Sequence, residues 1–94
     1  MDPNPHAAET LALTALDWLV GRTDLLDVFM GATGSTEADL RTRMSEPEFL
    51  ISVLDFILMD DAWVIAFSAD RDIAAEAVWQ ARQALPGGAH PHWT

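Results

Sequence analysis

Apolar residues along this chain recur at helical spacing rather than in the strict alternation of a half-buried strand. In residues 49–58, "FLISVLDFIL", at about 100° per residue, Phe49, Leu50, Val53, Leu54, Phe56, Ile57 and Leu58 cover more than half of a helix surface. Ser52, Asp55 and Met59 fall on the narrow remainder. The pair Asp60-Asp61 breaks this face, and a second apolar run, 62–67, follows with its own phase. The stretch 47–67 is the most apolar in the chain. It still cannot be a membrane span, which needs about 20 predominantly apolar residues, because Asp55, Asp60 and Asp61 interrupt its middle. The pattern predicts two helices joined by a tight turn, with Asp60 capping the second. A face as wide as that of 49–58 needs cover on several sides, which makes this helix central in a small bundle.

Punctuation places four more helices. Asn4-Pro5 starts the first, with proline at the first helical position, and Gly21 ends it. Thr23 is the expected cap of a second helix running from Asp24 to about Thr33, closed by Gly34. Thr36 with Asp39 three residues on forms a capping-box pattern for a short third helix through Met44. In "SEPE", Ser45 is the expected cap of the fourth helix, with Pro47 in its first turn and Glu48 reaching back. The sixth helix is expected from about Ile73 to Leu85, stopping at Pro86-Gly87-Gly88. The ending "AHPHWT" lacks periodicity and is expected to be mobile.

A repeat underlies this order. Shifting the chain by 38 residues lays "LALTALDWLV" (11–20) over "FLISVLDFIL" (49–58); all ten positions agree in class, and Leu16/Leu54 and Asp17/Asp55 are identical. The register continues ungapped through Leu25/Trp63, Leu26/Val64, Val28/Ala66 and Phe29/Phe67, then Thr36/Ala74 and Leu40/Val78. The expected architecture is therefore all-α: a compact six-helix single domain over 1–88, built from two similar three-helix halves, 9–45 and 47–85, packed about a pseudo-twofold axis. Leu16, Leu54, Phe29, Phe67, Leu50 and Val53 are the expected deep core. Residues 89–94 form the tail.

The segments "LALTALDWLV", "DLLDVFMGATGSTEADLR", "PEFLISVLDFILMDDAWVIAF" and "ARQALPGG" resemble a family of small bacterial proteins of unknown function, number 3572 in the domain-of-unknown-function series. The resemblance runs from about His6 to Gly88, and its most specific parts are "LDF" before the acidic break and the "LPGG" ending. It implies an all-helical cytoplasmic protein and supplies no activity or site residues. The family often carries proline at the starts of its third and sixth helices, where this chain has Glu37 and Ala75.

Composition narrows function mainly by exclusion. Fifteen acidic residues face five basic ones, all arginine, for a formal net charge of -10. Without a clustered positive field, neither nucleic acid nor an anionic membrane surface is an expected partner. One further reading is a nucleic-acid mimic, which requires the acids to form a contiguous face. The absence of cysteine rules out disulfides, thiolate chemistry and sulfur-ligated metals. "MDPNPHAAET" has neither a basic n-region nor an apolar h-region, so a cytoplasmic location is expected.

No catalytic, cofactor or metal residues are assigned. The duplication makes Asp17 and Asp55 equivalent, and a pseudo-twofold could unite them as an acid pair; by angle each lies on a polar strip instead, solvated or bonded to a neighbouring helix. Asp60-Asp61 and "DRD" (70–72) lack the alternating ligands of a calcium loop and read as helix capping. His6, His90 and His92 are too few and too terminal for a built metal site. Ser35, Ser45, Ser52 and Ser68 lack an oriented base, and "GATG" lacks the spacing and lysine of a phosphate loop.

Trp79 is different. On the sixth helix the core arc is Ile73, Ala74, Ala77, Val78, Ala81, Ala84 and Leu85, and Trp79 lies opposite, near Glu76, Arg82 and Gln83. An indole on a polar face is an interface-anchor pattern, so Trp79, Glu76 and Arg82 form the candidate interaction surface. The expected function is non-enzymatic, through contacts with another protein or with itself. The alternative is an enzyme or small apolar-ligand carrier with a pocket between the two halves. An apolar cavity lined by Met30, Met44 and Met59 would favour the carrier.

Overall fold

The computed structural model of the protein describes residues 5–86. Six helices follow in order: α1 (Pro5–Val20), α2 (Thr23–Thr33), α3 (Glu37–Thr42), α4 (Pro47–Leu58), α5 (Asp61–Arg71) and α6 (Ala75–Ala84), with no strand among the described residues. The tail and its His90 and His92 lie outside the described residues. Among those described, no helix is long and apolar enough to cross a membrane.

Helix ends show where local chemistry prevailed and where it did not. Asp60 caps α5, its Oδ1 accepting the Ala62 N–H at 2.8 Å. The capping box at α3 is complete: Thr36 Oγ1 accepts from Asp39 N–H, and Asp39 Oδ2 from Thr36 N–H. Thr23 and Ser45 are not caps. α2 begins one residue early, with Arg22 at the cap position, and α4 has Glu46 there; neither side chain bonds the helix start. Both are engaged elsewhere, Glu46 by Arg43 at 3.0 Å and Arg22 by Asp70 at 3.3 Å. At α4, Pro47 has no N–H to satisfy, which reduces the need for a cap. α6 stops at Ala84 because Leu85 precedes Pro86 and is held extended (φ -100°, ψ 158°), away from the helical region. α3 and α6 start at Glu37 and Ala75, without proline at either start.

The 38-residue register recurs in the helix boundaries along the chain. Val20 and Leu58 end α1 and α4; α2 and α5 cover equivalent residues; Glu37 and Ala75 start the third helices. Even the stop after the second helix repeats, with Gly34 (φ 74°) and Asp72 (φ 53°) both left-handed and their N–H groups bonded to Met30 and Ser68 carbonyls. The packing does not repeat. α6 lies against α1, α4 and α5, whereas α3 packs closely on no other helix and contributes no buried residue. The expected pseudo-twofold packing therefore fails at the third helix. Length is the reason: α3 has 6 residues and α6 has 10, and the buried Ala81 and Leu85 of the sixth-helix segment correspond to Arg43 and Pro47, beyond the end of α3.

α1 and α4 form the centre. Ala8, Ala12, Ala15 and Leu19 make a buried stripe at helical spacing on α1, and its small side chains allow close helix approach. α4 buries Phe49, Leu50, Val53, Leu54, Phe56 and Ile57, as its wide face requires. Phe29 of α2 sits edge-on to both Phe49 and Phe56, while Phe67 of α5 meets Trp18 edge-on with centroids 5.5 Å apart. All six expected deep-core residues are buried. The radius of gyration, 12.6 Å, is that of one packed domain.

Candidate functional site

A second apolar arc on α1, separate from the alanine stripe, lines an open concavity. It carries Leu13, Leu16 and Val20, with Asp17 beside them. On α4 the corresponding residues are Ile51, Leu54 and Leu58, which are buried or half-buried, with Asp55 exposed beside them. There α6 packs close, and Arg82 pairs with Asp55 across the two helices. On α1, α3 stands off. The result is an open groove of about 370 Å³, walled by Leu13, Leu16 and Val20 on one side and by Leu26, Leu40 and Met44 on the others. Val20 is 49% exposed at its edge, and Leu13 and Met44 are also exposed.

The polar rim consists of Asp17, Glu37 and Arg41. Arg71 of α5 holds Asp17 at 2.9 Å, although the carboxylate keeps much of its surface in water. Arg22, Arg43 and Arg82 are likewise paired, with Asp70, Glu46 and Asp55 respectively. Arg41 alone among the arginines makes no ion pair with the described residues.

Asp17 and Asp55 each bond an arginine from another helix, one on α5 and one on α6, and so act as separate cross-helix links rather than as an acid pair. In "DRD" only Asp72 serves a helix end. Asp70 instead accepts the buried Trp18 indole N–H at 2.8 Å and an Arg22 N–H, while the Arg22 guanidinium lies over the Trp18 ring at 5.1 Å. Sequence reasoning missed this link between the ends of α1 and α5. Its signal was indirect, in that a core tryptophan usually has a partner for its N–H. Ser52 Oγ donates to the Phe49 carbonyl, Ser35 exchanges bonds only with Thr33, and Ser68 Oγ is buried without a partner. Among the described residues, no group of three or more histidine or carboxylate side chains is placed to hold a metal ion.

Trp79 does face outward. It is 50% exposed, and its indole N–H bonds no described residue. Glu76 is exposed nearby on the same helix. Arg82 is drawn inward: its side chain is 15% exposed, and besides Asp55 it donates to the Pro86 carbonyl at 3.0 Å. The cluster expected around Trp79 is thus an indole and one acid, with the arginine committed to its own fold. The groove, by contrast, was not legible. Leu16 is buried as expected, and nothing local showed that α3 would leave Leu13 and Val20 beside it exposed.

A family model described as "Protein of unknown function (DUF3572)" matches residues 5–88. The chain belongs to the DUF3572 family. The match covers all six helices, so the groove and the Trp79 face both lie inside the DUF3572 region. No curated protein and no solved structure matches the chain.

Proposed function

We propose that this is a non-enzymatic protein that acts by binding another protein, with the α1–α3 groove as its working surface. The observation that carries the reading is the run of leucine, valine and methionine side chains left partly in water where α3 fails to seat. Apolar surface gathered in one concavity and rimmed by charge has the composition of a contact site. The lining contains no hydroxyl, thiol or imidazole, and Asp17 is held by Arg71, which supports binding over covalent or acid–base chemistry. The carrier reading is less well supported: the groove lies within the first half rather than between halves, includes only Met44 of the three methionines, and is open. A small ligand there would stay partly wet, whereas dedicated ligand pockets bury most of their ligand. The proposed setting is the cytoplasm.

A test is capture of partners by the full chain and by a Leu13→Glu/Val20→Glu variant, both positions being exposed enough to accept charge without unfolding. A protein recovered by the wild type and lost by the variant supports the reading. Equal recovery by both, with the variant folded by circular dichroism, refutes it.

Trp79 supports a second contact point, because tryptophan is enriched among interface anchors and this indole is half exposed with its N–H bonded to no described residue. Self-association through so small a patch would have to overcome repulsion between two chains of charge -10, so a heterologous partner is favoured.

A further inference from the structure

The protein itself contains an example of what covers the groove. α6 packs on α4 as well as on α1: its Val78 and Ala81 are buried, and its Arg82 reaches across to Asp55, which stands among Ile51, Leu54 and Leu58 on α4. On α1, the equivalent arc of Leu13, Leu16 and Val20 has the same shape of demand and the same acid, Asp17, in the same place, but no helix seated on it. The arc from Leu13 to Val20 is about two helical turns long, the contact length of a short docked helix.

We propose that the groove receives an amphipathic helix from a partner protein, with apolar residues at i, i+3 or i+4 and i+7, and with basic residues flanking that face. This rests on the reading of the groove as a protein-contact site. Charge decides the flanks. A basic residue on the incoming helix meets Asp17 as Arg82 meets Asp55, and Glu37 stands on the opposite wall. Asp17 can take a second basic partner because its carboxylate remains largely in water beside Arg71. Arg41 lines the rim and Arg71 is committed to Asp17, but the whole chain carries -10, so the long-range field favours a basic segment and opposes an acidic one. The apolar anchors give affinity, and the flanking charges set orientation and approach rate.

The experiment uses the full chain and two synthetic peptides of about 15 residues, long enough to approach helical stability. Both carry leucine at i, i+3, i+4 and i+7; one has lysine at the flanking positions and the other glutamate. Amide chemical shifts locate binding, and fluorescence anisotropy of labelled peptide measures it. The expected result is shift changes centred on Leu13, Val20, Leu40 and Met44. The lysine peptide binds at least about tenfold more tightly than the glutamate peptide, and its advantage shrinks as salt rises. Asp17→Asn with Glu37→Gln removes most of that advantage while the apolar contact remains. If both peptides bind the groove equally, the basic-helix inference is overturned and the contact-site reading stands. If neither peptide perturbs the groove residues, or the shifts fall elsewhere, both are overturned.

Discussion

Leu16 and Leu54 are identical residues at equivalent places in the repeat, 5% and 0% exposed, and differ mainly in what lies above them. Truncating each to alanine measures whether α6 seals its arc and α3 does not. Removing about 3 buried carbons at about 0.8 kcal/mol each costs about 2.4 kcal/mol in transfer free energy. Leu54 is fully buried on the central helix α4, so the void left behind stays empty and adds a cavity term, bringing the expected cost to about 3–5 kcal/mol. Leu16 lines the groove, so the space vacated by its side chain opens to water and carries little cavity term. Its expected cost is about 1.5–2.5 kcal/mol. A domain of this size has a total stability of roughly 5–14 kcal/mol, so both variants remain folded enough to measure. Urea unfolding followed by tryptophan fluorescence, with m compared across variants to confirm a common unfolded state, reads the difference. The expected gap is about 2 kcal/mol between the centres of these ranges, with Leu54→Ala the worse. Equal losses, or a larger loss at Leu16, would mean that α3 closes its arc as α6 does and that the groove is not a standing feature of the fold.

Three further outcomes follow from single contacts. Trp18→Phe and Asp70→Asn, combined in a double-mutant cycle, should show a coupling of about 1 kcal/mol, below the usual value for a bond to a charged group because Asp70 is half in water; additive losses would show the bond contributes nothing. Ser68→Ala should be neutral or raise the thermal midpoint by a few degrees, since a buried hydroxyl without a partner is removed and helix propensity improves; a loss above about 1 kcal/mol would reveal a partner for Oγ. Trp79→Ala should leave unfolding free energy within about 1 kcal/mol of wild type, because the side chain is half in water and bonds no described residue; a large loss would make it part of the core rather than a contact point.

Apolar periodicity, capping chemistry and the repeat were enough to define the number and order of the helices and most of their starts. They also located the deep core, from Phe29 to Val53 and Phe67, because burial of a wide apolar arc depends on residues that recur within one helix. The expected caps Thr23 and Ser45 lie off the cap positions, which Arg22 and Glu46 hold without capping bonds. The outward direction of Trp79 was also local, fixed by its angle on α6. What the sequence could not determine was which apolar arc finds a cover. Leu13, Leu16 and Val20 match Ile51, Leu54 and Leu58 in class, and only the assembled bundle separates them. The last turns of α6 carry Ala81 and Leu85 into the core and Arg82 to Asp55, while α3 ends before the equivalent residues can form a helix. The groove is a difference between two nearly identical local patterns, decided by which third helix is long enough to anchor at its far end.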